Sequence, residues 1–156
     1  MHNPTSRPEW IAGTQVLLDS WEHHLGRPLI QRQSPESDSK TLFEVPFVVV
    51  AHGTEADPIL SYANLAAVQL WAMPLQELLK TPSRKTAEPI HRDERSDLLR
   101  RTTENGFIDD YSGIRISSTG QRFRIHQATV WNLIDGDGQL VGQAAAFSQW
   151  TNLPSA

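Results

Sequence analysis

The sequence contains no cysteine. That excludes disulfides, zinc thiolate centres, thiol nucleophiles and cysteinyl cofactor adducts together. It also lacks a positive excess, since 14 Lys and Arg stand against 18 Asp and Glu, a net charge of −4. Nucleic-acid surfaces need a basic face, so no nucleic-acid partner is expected. No apolar run approaches the roughly 20 residues that span a bilayer, and the opening MHNPTSRPEW is polar, unlike a signal peptide. No membrane partner and a cytoplasmic location are the expectation. There is no phosphate loop, dinucleotide fingerprint or Ser-His-Asp arrangement. The histidines (His2, His23, His24, His52, His91, His126) show no metal spacing, and Asp135 and Asp137 read as a hairpin turn, not a calcium loop. No metal site is expected.

What is present suffices for one domain: 156 residues, 38% hydrophobic, with five tryptophans. The central stretch is PFVVVAHGTEADPILSYANLAAVQLWAM, residues 46–73. Its β-branched opening, Phe47 to Ala51, predicts a buried strand. Gly53 to Pro58 carries turn chemistry, and Ile59 to Tyr62 a second strand. Asn64 is placed to cap a helix over 65–73 that is apolar nearly all round.

Before this stretch, Ser6 and Glu9 form an S-x-x-E capping box, and an apolar stripe (Trp10, Thr14, Leu17, Trp21, Leu25) predicts a helix to about Leu25. QRQSPESDSKT, residues 31–41, reads as a polar linker. The expected division is an N-terminal amphipathic helix and linker over 1–41 and a globular domain over 42–152. After the central stretch come a short helix at Leu75 to Leu79, a loop at Thr81 to Pro89, and a helix at Asp93 to Thr103 ended by Gly106. Three strands follow, Tyr111 to Ser117, Arg122 to Ile134 and Leu140 to Trp150, joined by hairpins at Ser118-Thr119-Gly120 and Asp135 to Gly138. The order predicts an α+β fold: a five-stranded antiparallel sheet with helices on one face. The third of these strands is apolar or small on both faces, which calls for cover on both. The N-terminal helix supplies that cover, or a dimer partner does.

This order resembles a PAS domain, and VVVAHGTEADPILSYAN is similar to the first two strands of the flavin-binding photosensor subgroup. More closely, PFVVVAHGTEADPILSYAN, LWAM, PSRKTAEP, NGFIDDYSGIRIS and AAAFSQW resemble the MEKHLA-domain family, a PAS-like group, over residues 46–150. The resemblance implies a ligand cavity between helices and sheet. It does not imply a flavin photocycle. The loop that carries the reactive cysteine in the photosensors reads Ser83 here, with Arg84 retained, and Arg115 and Ile125 stand where the photosensors carry flavin-binding asparagines. No cofactor is assigned, and the substitutions argue against flavin.

On this alignment Arg115 points into the cavity, and an inward guanidinium must be paired. A ligand carboxylate or phosphate would pair it, as would Glu88, Asp109 or Asp110. Arg84 is the second cationic candidate. Trp71, Tyr111, Trp131 and Phe147 would either stack on a planar ligand or form core. Gln127 and Thr129 share the predicted strand face of Trp131 and would supply polar contacts. His91, just before a helix, is a remote haem candidate. The sequence thus points to a non-enzymatic sensory or regulatory module binding a small molecule or a partner protein, with a homodimer through the N-terminal helix as one arrangement. The alternative is a small α+β enzyme using His126 or Asp109 as general base.

Overall fold

The computed structural model describes residues 3–86 and 92–154. Glu88 and His91 lie outside the described residues, as does His2. Helix α1 spans Pro8–Leu25 and α2 Pro35–Glu44. Strands β1 (Val48–His52) and β2 (Leu60–Ala63) follow, then α3 (Leu65–Trp71), α4 (Leu75–Leu78) and a 3-10 turn (Ser83–Thr86). Helix α5 (Arg92–Asn105) leads into β3 (Phe107–Ile116), β4 (Arg122–Ile134), β5 (Leu140–Phe147) and β6 (Gln149–Asn152). The strand order is β2-β1-β5-β4-β3, all antiparallel, with β6 continuing the ribbon of β5 along β4. The α+β expectation holds, and β1 lies beside the last ribbon, Val48 opposite Phe147 and Val50 opposite Ala145.

Several local expectations change. Helix α1 starts one residue later than the capping box requires: Arg7 is the N-cap, and no side chain caps the helix. Proline disfavours helical backbone in the residue before it, so Pro8 fixes itself as the first helical residue and leaves Ser6 in a turn. The stretch read as linker holds most of α2, which is capped by Ser34, whose Oγ accepts from the Ser37 N–H at 3.2 Å. Its buried face includes Asp38 and Ser39 beside Leu42 and Phe43, so hydrophobic periodicity alone does not reveal it. Asp38 is held by Arg32 Nε at 2.9 Å and by the Gln33 N–H at 2.8 Å. Although burial pushes its carboxyl up, the Gln33 bond and those from Arg32 and Gln15 hold it below the usual range. Helix α3 stops at Trp71 because Ala72 turns left-handed, φ 53°.

Asn64 caps α3 as expected, accepting from the Ala67 N–H, and does more. The same oxygen accepts from the Val49 N–H at 3.0 Å, while its amide donates to the Leu42 and Phe47 carbonyls. One fully buried side chain thus ties α3 to β1 and to the end of α2.

Both faces of the sheet are covered. Helices α3 and α5 lie on one side, and α1 lies on the other against β4. The Trp131 indole N–H donates to the Leu17 carbonyl at 3.2 Å, and its ring meets Trp21 edge-on at 4.9 Å. Trp10 stacks on Tyr62 at 4.7 Å. The cover is supplied in cis by this chain's own α1, as the sequence suggests. Gly142 on β5 lets the backbones close up, since a Cβ there would stand 2.2 Å from the His52 carbonyl oxygen.

Candidate functional site

Between the helical side of the sheet and α3, α5 and the 3-10 turn lies a cavity of about 70 Å³. Its floor is the inward face of β3, β4, β5 and β1: Tyr111, Arg115, Ile125, Ala128, Val130, Gln143, Ala145, Phe147, Val50 and His52. Trp71, Leu98, Ser83 and Thr86 close it. The 3-10 turn is fixed against β2 by the Leu60 N–H on the Thr81 carbonyl (3.0 Å) and the Ser83 N–H on the Pro58 carbonyl (2.7 Å).

Arg115 is the chemical centre. It is only 7% exposed, its Nη1 donates to the Ile114 carbonyl at 2.9 Å, and its guanidinium lies 5.4 Å from the centre of the Tyr111 ring. Among the described residues no carboxylate lies within ion-pair distance of it. Asp109 and Asp110, considered as internal partners, are exposed, and Asp110 faces Arg101 at 3.8 Å. The aromatic wall is Trp71, meeting Phe147 edge-on at 6.3 Å and Phe123 at 5.4 Å. The polar end is Gln143, whose Nε2 donates to Asn132 Oδ1 at 2.8 Å and to Thr103 Oγ1 at 3.0 Å. Asn132 in turn donates to the Thr102 carbonyl and receives His24 Nε2 on its own carbonyl at 3.0 Å.

Of the residues picked from sequence, Trp71, Tyr111, Arg115 and Phe147 line the cavity together. Arg84 does not: it is half-exposed and its Nε donates to Asp57 at 3.1 Å. Gln127, Thr129 and Trp131 also stand outside. A β-bulge is the reason. From Tyr111 to Gly113 on β3 the chain advances two positions while β4 advances three, from Ala128 back to Ile125. The extra residue falls at Gln127, whose φ is +47°. Strict alternation from Ile125 would place Gln127, Thr129 and Trp131 inside; the bulge reverses the phase, so Ala128 and Val130 face the cavity and Trp131 faces α1. Sequence reasoning missed His52 and Gln143. Gln143, a lone amide among alanines and glycine on an otherwise apolar strand, was the available signal.

Neither general-base candidate reaches the cavity. His126 Nε2 bonds Thr151 Oγ1 at 2.8 Å on the sheet's other face, and Asp109 is exposed. Among the described residues no cluster could hold a metal ion, and no helix is long and apolar enough to cross a membrane. Flavin does not fit the residues present: Ser83 offers no thiol, Ile125 presents hydrocarbon, Arg115 fills part of the floor, and about 70 Å³ is half of a benzene-sized cavity of roughly 150 Å³.

Comparison with known proteins agrees with this architecture. The homeobox-leucine zipper protein REVOLUTA of Arabidopsis thaliana is 24% identical over 151 residues, 92% of this chain and 18% of its own length. The homeobox-leucine zipper protein HOX32 of Oryza sativa subsp. japonica is 22% identical over 151 residues, 96% of this chain and 18% of its own length. The chain therefore spans under a fifth of these curated relatives. Among solved structures, the PAS domain of a Colwellia psychrerythraea protein superposes with a TM-score of 0.63 at 13% identity, covering 76% of this chain and 95% of that one. A light-oxygen-voltage domain studied with a flavin analogue gives 0.58 at 20% identity, over 76% of this chain and 85% of that one. The fold is thus that of the PAS domains, and the MEKHLA domain model itself matches residues 11–152, so the chain belongs to the MEKHLA-domain family.

Proposed function

We propose that this domain is a non-enzymatic sensory module that binds a short carboxylate, of about two to four carbons, in the cavity floored by Arg115. The observation that carries this reading is the buried guanidinium of Arg115, beside which stand a backbone carbonyl and an aromatic face but, among the described residues, no carboxylate within ion-pair distance. A cation removed from water is costly unless paired, and a carboxylate answers a guanidinium in two parallel hydrogen bonds. The otherwise largely apolar walls favour a monoanion with a hydrocarbon tail over phosphate, which needs many donors. The volume of about 70 Å³ sets the size limit.

The reading needs no homodimer through α1, because Leu17, Leu18 and Trp21 are buried against the chain's own sheet. Small carboxylates from formate to butyrate, screened by thermal shift and titration calorimetry, test the proposal. One of them should raise the melting temperature at millimolar concentration, and Arg115→Met should abolish the shift while the chain still folds. No response across the series, or an equal response from Arg115→Met, refutes it.

A further inference from the structure

We propose that the free edge of β6 is a docking site for an extended acidic segment of a partner protein, added to the sheet as a further strand. Three observations meet at this edge. The first is backbone that points outward from the sheet. The Leu153 N–H donates to the Arg122 carbonyl at 2.8 Å. In an antiparallel ladder bonded pairs alternate with non-bonded ones, so the Arg124–Thr151 and His126–Gln149 pairs carry the β4–β6 ladder. The N–H and C=O groups of Trp150 and Asn152 therefore point away from β4. On that side β1 begins only at Val48, opposite Phe147, and among the described residues no strand flanks β6.

The second observation is the absence of edge protection. Natural edges are guarded by lysine, proline, bulges or covering elements. The sequence of β6, Gln-Trp-Thr-Asn, has no charge and no proline, all four residues are exposed, and Trp150 is 36% exposed. The third is charge. On the sheet face opposite Trp150, β4 sets out Arg122, Arg124 and His126 at every second position, beside Thr151 and Gln149. Arg124 has no ion-pair partner among the described residues. In a chain of net charge −4 the two arginines make this a local positive strip, and it lies one strand in from the open edge. An added strand alternates its side chains, so apolar residues would rest on Trp150 while carboxylates reach toward Arg124. A second copy of β6 offers no carboxylate, which is why a partner strand is favoured.

A blocked peptide alternating glutamate and valine, titrated into the full chain by calorimetry and amide NMR, tests the proposal. The expected result is binding that weakens with salt, shifts confined to β6 and its β4 neighbours, and no binding of the lysine–valine counterpart. Asn152→Pro removes an edge N–H without touching the β4 ladder and should weaken binding by about tenfold or more. Arg124→Glu should do the same with an unchanged melting temperature. Should Asn152→Pro fail to fold, Arg124→Glu and Trp150→Ala decide. Equal binding of both peptides, or unchanged affinity in the folded variants, overturns the proposal. So does a dimer of the full chain that Asn152→Pro dissolves, because a second copy would then hold the edge. None of these outcomes depends on a ligand in the Arg115 cavity.

Discussion

At the scale of single residues, Asn64 does the work of a small scaffold. Its amide closes an α3 cap and three backbone bonds reaching α2, β1 and the residue before β1, all but the Phe47 one buried. Replacement by alanine loses the cap and strands buried backbone groups, each worth about 1–3 kcal/mol. The expected loss for Asn64→Ala is about 3 kcal/mol, read from urea midpoints at constant m-value. His24 gives a pH signature. Burial holds its pKa below 6.5, against the smaller opposing pull of the Asn132 carbonyl and in line with its neighbour His23. The unfolded chain therefore takes up the proton first, so stability from this site is full above 6.5 and falls as pH drops through the lower folded value. Urea titrations at about pH 7.5 and about pH 5.5 should show the drop, and His24→Gln should remove most of it. Asp38 acts in a separate window, because its depressed carboxyl withdraws stability only below 3.8.

At the scale of elements, the Gln127 bulge decides which half of β4 faces the cavity. A non-glycine residue at φ +47° carries strain. Gln127→Gly should stabilise the chain by about 0.5–1 kcal/mol, and Gln127→Val should destabilise it by about 1–2 kcal/mol, measured by thermal and urea unfolding. The same bulge marks the limit of what the sequence discloses. Strands, hairpins and the Asn64 cap are legible because each rests on local chemistry: β-branched runs, Gly120 and Gly138 at positive φ, a side-chain oxygen beside free N–H groups. So were four cavity residues, through the resemblance and the pattern before the bulge. Gln127 is not glycine, and nothing local announces that it will step out of phase, so simple alternation puts Thr129 and Trp131 on the wrong face. Helix α2 escapes for a related reason, as half its buried face is Asp38 and Ser39, whose burial makes sense only once Arg32 and Gln15 reach Asp38 and the Thr5 carbonyl accepts from Ser39.

At the scale of the whole molecule, α1 packs against the chain's own sheet, although the sequence sets it apart from the globular region. Leu17 is 1% exposed, and the Trp131 indole bonds its carbonyl. Leu17→Ala should cost about 2–5 kcal/mol and lower one cooperative transition. Separate loss of helix signal ahead of the main transition would instead show that α1 docks as an independent piece.

Asn132 faces two audiences. Its side chain grips Gln143 on the cavity wall, and its carbonyl holds His24 near the end of α1. A guest that drew Gln143 toward itself would tug on this shared post, and loosening α1 would be felt inside in return, by the same free energy in both directions. An occupant that displaced Gln143 would by this route be felt on the far side of the sheet.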